Sequence, residues 1–256
     1  MLALSRNFGF CRAVNEGIRE SSADLIALLN NDAEAEPGWL KALYEASERY
    51  PEAGSFASKV LTADNRECIE SVGDMLKPDA CGANRGRGEL DRGQYDREEE
   101  VFSASGAAVL YRRALFEKIG LFDEDFFAYF EDIDLGFRAQ RFGCPCVFVP
   151  WARVVHVGKA SRPEDRNWHL RQEFVNSTLC QIKNLPTRYF IRNGRSIFLS
   201  HLRSLKGLAK EGGIGVLLAS TRDLLRRMPG ALYKRARLWR DSKGRFDRLA
   251  FFLPPP

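Results

Sequence analysis

The 256-residue sequence lacks features that certain classes of protein require, and their absence excludes those classes. No stretch reaches the roughly 18 to 20 consecutive apolar residues that a membrane-spanning helix needs. The first residues show no basic segment followed by an apolar one, so a secretory signal is not indicated. The six cysteines show no Cys-x-x-Cys spacing. We therefore expect a cytoplasmic protein with reduced thiols.

Charge is divided unevenly along the chain. Residues 159–256 contain 21 Lys and Arg against 7 Asp and Glu, which leaves 18 against 27 for residues 1–158. The basic part includes two amphipathic segments, 197–210 and 214–228. Such helices lie on anionic membranes with about 1 kcal/mol of attraction per Lys or Arg, and a helical appendage packed on the main domain fits the pattern equally well. No recognition motif supports nucleic-acid binding.

The first candidate site is an acidic segment that follows an apolar run. Residues 24–29 are predicted to form a strand buried on both faces, because their apolar run does not alternate. Pro37 suits the first position of the next helix, so Asp32 and Glu34 lie in a strand-to-helix loop, where α/β sheets usually bind ligands. The two carboxylates suit Mg²⁺ or Mn²⁺ with a substrate diphosphate. The structural alternative is an acidic first turn stabilised by the helix dipole.

The second candidate site is the acidic start of another helix, at Glu131, Asp132 and Asp134. The helix dipole again offers a structural explanation, but an aromatic stretch, residues 126–130, precedes the cluster. Burial beside aromatic rings would desolvate a carboxylate and raise its basicity toward that of a general base. His156, at the end of a predicted strand, is a third candidate, although a single His at such a position is more often structural.

Two further segments lie between the acidic clusters. Residues 77–100 show no steady period and are predicted to form a long mobile loop. Its Arg85, Arg87 and Arg92 either approach an anionic ligand or remain in solvent. The small residues Ser105-Gly106-Ala107 come next, and their size permits close approach of a ligand to the backbone.

Taken in order, these motifs resemble those of family 2 glycosyltransferases, in particular rhamnosyltransferase-like members that build bacterial cell-surface polysaccharides. The resemblance covers roughly residues 5–200. The motifs are Asn7-x-Gly9-Phe10-x-x-Ala13-x-Asn15-x-Gly17-Ile18, Leu28-Leu29-Asn30-Asn31-Asp32, Ser105-Gly106-Ala107, Gly120-Leu121-Phe122-Asp123-Glu124, Glu131-Asp132-x-Asp134-x-x-x-Arg138 and His156-x-Gly158-x-x-Ser161.

The resemblance implies an α/β protein with a GT-A-like mixed sheet flanked by helices. We expect this sheet to be incomplete at its N-terminus, because the chain starts almost at Asn7, where the family normally has a preceding strand, helix and strand. Residues 1–160 are predicted to form a partial GT-A catalytic domain, and residues 161–256 a basic amphipathic helical extension. The family also implies a nucleotide-sugar donor, a saccharide or lipid-linked acceptor, Mg²⁺ or Mn²⁺, and inversion at the anomeric carbon.

The resemblance assigns roles to individual residues. Asp132 is the expected catalytic base. The expected metal ligands are Asp32, Glu34 and His156. The expected substrate-binding residues are Asn7, Asn15, Asn31, Ser105, Gly106, Ala107 and Glu131. These roles require folding to bring Asp32 and Asp132 to the same pocket.

Two interpretations of function are consistent with the sequence. The first is an inverting glycosyltransferase of polysaccharide synthesis, cytoplasmic and peripheral on the inner face of the plasma membrane. The second is a catalytically inactive, truncated module of the same fold that binds a membrane surface or a partner. A glycoside hydrolase also needs two carboxylates, but the Asp-x-Glu pattern at Asp32 favours a metal, so hydrolysis ranks third.

Overall fold

The structure is a computed structural model that describes residues 3–158, 166–242 and 247–253. Ser161, the last residue of the sequence motifs, lies outside these ranges. The helices are α1 Phe10–Glu20, α2 Trp39–Arg49, α3 Arg113–Ile119, α4 Glu131–Arg141, α5 Arg166–Asn184, α6 Thr187–Asp241 and α7 Asp247–Phe252. The strands are β1 Leu25–Leu29, β2 Ala33–Ala35, β3 Ser55–Thr62, β4 Ile69–Ser71, β5 Asp74–Leu76, β6 Gly82–Asn84, β7 Glu99–Val101, β8 Ala108–Arg112 and β9 Cys146–His156.

The main sheet is mixed, with the strand order β1-β8-β3-β9-β2. Strands β3 and β9 run parallel, whereas β1 with β8, β3 with β8, and β2 with β9 are antiparallel pairs. Strand β4 pairs with β3, and β7 pairs with β9. Strands β5 and β6 form a separate hairpin. Because β2 and the end of β9 are neighbours, the loop after β1 is brought beside His156.

Apolar side chains cover both faces of the sheet. On one face, α2 packs Trp39 and Leu43 against Phe56, Val60 and Val154. The opposite face carries a larger cluster to which α1, α3, α4 and α7 contribute. Helix α4 therefore lies against the sheet with most of its side chains buried, and this burial fixes the position of its acidic first turn.

Two sequence-based expectations about strands need correction. Strand β1 was expected to be buried on both faces, but it lies at one end of the sheet order and Leu29 is 41% exposed. An apolar run does not reveal which neighbours a strand has. Pro150 is expected to interrupt a strand, because proline cannot donate to a sheet, but it lies within the continuous β9, Cys146–His156. Its pairing with β3 shifts between Ser58 and Lys59, so a bulge accommodates the proline, which has no N–H to donate.

The predicted mobile loop, residues 77–100, is instead tied to the sheet. It contributes β6 and β7, and its Asp91 and Asp96 bind the ammonium of Lys59, a β3 residue whose side chain is fully buried. Of the three arginines, Arg85 pairs with Glu99 at 2.6 Å and Arg87 donates to Asn84 at 3.5 Å, while Arg92 is exposed. A buried cation needs anionic partners, so this segment covers Lys59.

The basic C-terminal part is helical, as predicted, and α5 and α6 pack on the main sheet domain. Gly213 interrupts α6 with non-helical angles, φ 75° and ψ 177°. After this break the chain returns, because Arg235 donates hydrogen bonds to the carbonyl of Ile182 in α5 and to the hydroxyl of Thr187 at the start of α6. None of the helices in the described ranges is long and apolar enough to cross a bilayer.

Buried ion pairs attach α5 to α4. Asp134 is fully buried and binds Arg138 at 3.0 Å and Lys183 at 2.8 Å, and Asn184 donates a further hydrogen bond to it. Lys183 also reaches Asp123 at 2.7 Å. Asp134 and Arg138, two residues of the acidic motif, therefore form the joint between α4 and the C-terminal helices.

Candidate active site

Three chain segments meet around the predicted site. The loop after β1 contacts the small-residue segment, because the Asn30 N–H donates to the Ala107 carbonyl at 2.9 Å. The adjacent Gly106 N–H donates to Asp132 Oδ2 at 3.2 Å. Asn30 also approaches His156, with its Nδ2 3.4 Å from Nε2 of that ring. A continuous series of contacts thus joins the two acidic clusters that lie a hundred residues apart in sequence.

Asp132 is held by backbone donors at the start of α4. Besides Gly106, the Ile133 N–H donates to its Oδ1 at 2.8 Å. Burial raises the pKa of Asp132, and these backbone hydrogen bonds oppose that increase without cancelling it. The carboxylate is therefore more basic than an ordinary aspartate and has a fixed orientation, which are two requirements for a general base.

Glu131 occupies a more enclosed position. It is 8% exposed, and its Oε2 has no hydrogen-bond partner among the described residues. Burial, followed by the negative charge of Asp132, raises the pKa of Glu131 to about 8. At neutral pH this carboxyl group is mostly protonated, so it can donate a hydrogen bond. A buried polar atom without a partner is costly, so a polar ligand that reached Oε2 would stabilise this group.

Gly106 is the small residue whose size matters most here. A Cβ at this position would stand 3.5 Å from the ring of Phe10 and 3.8 Å from Glu131 Oε1. A larger side chain would fill the space between α1 and the acidic turn. Ser105 and Ala107 flank it, and the Ser105 hydroxyl accepts a long hydrogen bond from the Ala107 N–H at 3.4 Å.

Asp32 and His156 form the second half of the site. Asp32 Oδ1 is 3.1 Å from His156 Nε2, and both side chains are less than 10% exposed. On the other side of the ring, Glu70 Oε1 lies 3.0 Å from Nδ1. Burial lowers the pKa of His156, but the carboxylates of Glu70 and Asp32 raise it by more, and the net change is upward.

The donor set of this cluster fits a hard divalent cation. Asp32 offers a carboxylate and His156 an imidazole nitrogen, and Glu70 orients the ring from behind, as carboxylates do for metal-bound histidines. Glu70 was not identified from the sequence, where only its place in the short strand β4 distinguishes it. Within residues 3–158, 166–242 and 247–253, no group of three or more His, Cys, Asp or Glu could hold a metal ion.

Glu34 does not join this cluster, which corrects the expectation that it is a metal ligand. Its neighbour Ala33 pairs with His156 across β2 and β9, so the side chain of Glu34 points to the opposite face of the sheet. There it is 69% exposed and pairs with Arg66 at 2.7 Å. The spacing Asp-x-Glu suggested a shared face only because residues 33–35 were assigned to a loop.

The three predicted asparagines have different surroundings. Asn15 is 1% exposed, and its amide bonds to both the N–H and the carbonyl of Phe122 and to Glu124. This corrects the expectation that Asn15 binds substrate, because the amide is consumed in tying α1 to the segment before α4. Asn7 is exposed and accepts a hydrogen bond from the Gly9 N–H. Asn31 is exposed beside Asp32.

A second buried acid, Asp74, was also not identified from the sequence. It is 2% exposed and accepts hydrogen bonds from Ser103 at 2.8 Å and Asn84 at 3.2 Å. Burial, and after it the charge of Asp132, raises the pKa of Asp74 well above its ordinary value. Asp74 is therefore a buried acid whose proton is held more tightly than that of an ordinary aspartate.

Replacing Glu131 with Gln is expected to change how stability depends on pH. The folded chain holds the Glu131 proton up to about pH 8, whereas a free Glu titrates near 4.5. Folding thus binds a proton between these values, and the contribution of Glu131 to stability falls as pH rises from about 4.5 to 8. Urea unfolding at pH 5 and pH 8 should show a smaller decline for Glu131→Gln than for the wild type. An equal decline would contradict the buried, protonated state.

Comparisons with known proteins show which sequences this chain resembles. Residues 1–120 match the family model described as glycosyl transferase family 2. An N-acetylglucosaminyl-diphospho-decaprenol L-rhamnosyltransferase from Mycobacterium tuberculosis is 29% identical over 192 residues, which cover 66% of this chain and 62% of the relative. The O-antigen biosynthesis protein RfbC of Myxococcus xanthus is 28% identical over 165 residues, 62% of this chain and 13% of that protein. The match therefore spans less than two thirds of each relative.

A solved structure supports the fold prediction. The crystal structure of GalNAc-T7 with UDP, GalNAc and Mn²⁺ superimposes with a TM-score of 0.55 at 13% sequence identity, covering 90% of this chain and 45% of that one. At this level of identity the likeness concerns the fold alone. The predicted GT-A-like mixed sheet with a helical C-terminal region is confirmed.

Proposed function

We propose that this chain, whose residues 1–120 match the glycosyl transferase family 2 model, transfers a sugar from a nucleotide-sugar donor to a saccharide or lipid-linked acceptor with inversion. The observation that carries the proposal is the series of contacts from Asp132 through Gly106, Ala107 and Asn30 to His156 and Asp32. These contacts support the proposal of a half-buried, oriented base at Asp132 and a separate cation site at Asp32 and His156.

Asp132 performs the proton transfer in the proposed reaction. Its carboxylate accepts the proton of the acceptor hydroxyl as that oxygen attacks the anomeric carbon from the face opposite the nucleotide. The new C–O bond forms while the bond to the diphosphate breaks, so one displacement inverts the configuration. Glu131, protonated at neutral pH, is placed to donate a hydrogen bond to an acceptor oxygen. Base assistance of this kind is typically worth about 10²–10⁴ in rate.

Asp32 and His156 would hold the divalent metal. When bound, Mg²⁺ or Mn²⁺ offsets the charge that develops on the departing nucleoside diphosphate. The residues themselves form the receptor: Glu70 fixes the orientation of the His156 ring, and Asn30 lies against the same ring. Asn7, Asn31 and the 105–107 segment are the proposed substrate contacts around this centre, and residues 1–160 are the proposed catalytic unit.

The relatives narrow the choice of substrates. The name of the mycobacterial relative specifies L-rhamnose transfer to N-acetylglucosaminyl-diphospho-decaprenol, and we extend that class to this chain: a nucleotide-linked deoxyhexose donor and a diphosphoprenol-linked amino sugar acceptor. The product would enter cell-wall or surface polysaccharide synthesis.

The decisive assay incubates the full chain with a panel of nucleotide sugars, Mg²⁺ or Mn²⁺, and a short-chain N-acetylglucosaminyl diphosphoprenol. Metal-dependent formation of a disaccharide-lipid is expected, with nucleotide released only when acceptor is present. Nucleotide release that is independent of acceptor would indicate hydrolysis. Absence of both products with every donor would favour the inactive module.

The proposed location is the cytoplasmic face of the membrane, where a lipid-linked acceptor is presented. One face of α6 after Gly213 carries exposed apolar side chains at helical spacing: Ile214, Leu218, Leu225 and Leu232, which are 49–72% exposed. Exposed Arg222 and Arg226 adjoin this face. An apolar stripe beside cations matches an anionic lipid surface, where apolar side chains insert and arginines contact headgroups.

Vesicle flotation tests this surface. The wild type is expected to bind phosphatidylcholine vesicles that contain phosphatidylglycerol, and to bind less as salt is raised. Replacing Leu218 and Leu225 together with Glu should weaken binding by at least about tenfold, since burying one such side chain is worth about 1.5–3 kcal/mol. The matched control is Leu40→Glu, on α2 and 51% exposed. Equal loss in the control would contradict the assignment.

A further inference from the structure

The segment that leads into the acidic turn has an unusual backbone. Phe127, Tyr129 and Phe130 all have positive φ, at 61°, 71° and 69°. Phe127 stands at the centre of a three-residue turn in which the Ala128 N–H donates to the Phe126 carbonyl at 2.7 Å, with ψ of −64°. Non-glycine residues adopt such conformations at a cost of order 1–3 kcal/mol each. Strain of this kind occurs mainly where function requires a particular presentation of side chains.

The C-terminal helices hold this segment in place. The side-chain amide of Asn176, a fully buried residue of α5, donates to the carbonyls of Phe126, Ala128 and Tyr129 at 2.8–2.9 Å. Arg227 of α6 donates to Asn176 Oδ1 at 2.9 Å. These bonds satisfy carbonyls that a strained turn would otherwise leave unpaired, so the conformation is built into the fold.

The result of this arrangement is a cluster of aromatic rings. The Trp168 ring lies 5.7 Å from that of Phe127, 6.1 Å from that of Tyr129 and 5.3 Å from that of His169, measured between centroids. All four residues are half-buried rather than enclosed in the core. Large rings that pack against one another and are only partly covered form a rigid surface for a ligand.

The cluster stands beside the proposed chemistry. Tyr129 is only three residues before Asp132, and Glu131, with its buried unpartnered Oε2, lies between them. Contacts relate the rings to the acidic turn: a Cβ at Gly9 would lie 2.6 Å from the Phe127 ring, and the ring of the next residue, Phe10, lies beside Gly106, whose N–H binds Asp132. One face of a pyranose ring presents mostly C–H groups, and the negative face of an aromatic ring attracts them.

We propose that Phe127, Tyr129 and Trp168 form a subsite that binds the apolar face of the acceptor's pyranose ring, held open by Asn176. The inference rests on the proposed function and adds to it the residues that select the acceptor. Donor binding depends on the Asp32 side of the site and is independent of these rings.

Steady-state kinetics with the short-chain N-acetylglucosaminyl diphosphoprenol and saturating donor test the subsite. Trp168→Ala and Tyr129→Ala are each expected to raise the acceptor KM by about tenfold, while the donor KM stays within about twofold. Trp168→Phe, which keeps an aromatic face, should recover most of the loss. The matched control is Phe251→Ala on α7, an aromatic residue that is 80% exposed, which should leave both KM values unchanged.

A second measurement distinguishes binding of the sugar by these rings from binding of the prenyl chain. Trp168→Ala should weaken binding by the same factor for acceptors that carry the same sugar on a longer or a shorter prenyl chain. A loss of affinity that grows with chain length would mean that the rings bind the lipid, and it would overturn the proposal. An equal rise of the donor KM and the acceptor KM would mean that the rings only support the structure, and it would also overturn the proposal. If the wild type transfers no sugar, the soluble acceptor sugar can be titrated while Trp fluorescence is measured. Quenching that occurs in the wild type and is lost in Trp168→Ala supports the subsite. Equal quenching in the two proteins overturns it.

Discussion

Asp132→Asn is expected to lower the transfer rate by about 10²–10⁴-fold with little change in the donor KM. An amide cannot accept the proton of the acceptor hydroxyl, so the variant loses the base but keeps the size of the side chain. Asn offers one oxygen, so it keeps an acceptor for only one of the two N–H donors, Gly106 to Oδ2 or Ile133 to Oδ1, and thermal unfolding of the variant beside the wild type checks that the fold is retained. Single-turnover rates with saturating donor and acceptor would measure the chemical step directly.

The pH profile provides an independent measure of the same residue. Burial raises the pKa of Asp132, so the ascending limb of kcat/KM against pH should lie above the range of an ordinary aspartate and disappear in Asp132→Asn. Asp24→Asn, at an exposed residue before β1, is the control and should match the wild type. An Asp132→Asn variant that retains more than about a tenth of the wild-type rate would remove this residue from the mechanism.

The sequence predicted those parts of the fold that depend on local pattern. Helix α4 begins at Glu131, where the sequence predicted an acidic helix start, and it is followed by Gly143 with φ of 71°, because glycine readily adopts that conformation after a helix. The place of β1 in the sheet and the packed state of residues 77–100 depend on partners distant in sequence. Lys59 is the clearest example: its burial organises that segment, yet a lone Lys in an apolar strand does not reveal its partners.

The candidate site was predicted where the motif order carried the information. The motif order implied that Asp32 and His156 share a metal site and that residues 105–107 line the acceptor side near Asp132; the structure places His156 3.1 Å from Asp32 and joins Gly106 to Asp132, and the roles stay predictions. Glu70 and Asp74 were missed because each belongs to a short strand and acquires its role only through tertiary contacts. Asn15 was expected to bind substrate, because a sequence motif does not distinguish side chains that support the fold from side chains that bind a ligand.

Asp32→Ala is expected to reduce transfer by about 10³-fold, because stabilisation of the leaving group by a metal is worth several kcal/mol. His156 would remain oriented by Glu70, so the variant should need more metal for half-maximal activity and recover partly at high Mn²⁺. Glu34→Ala is the sharpest control. It removes a carboxylate only two residues away, one that pairs with Arg66 on the opposite face of the sheet.

The Glu34 variant should keep its rate within about twofold of the wild type, since exposed ion pairs contribute only about 0–1 kcal/mol. Titration of activity with Mn²⁺ and with Mg²⁺ in both variants separates the two residues and shows which ion is preferred. Equal losses in Asp32→Ala and Glu34→Ala would mean that both carboxylates reach the metal. The arrangement of β2, which directs Glu34 away from His156, would then have to change when substrate binds.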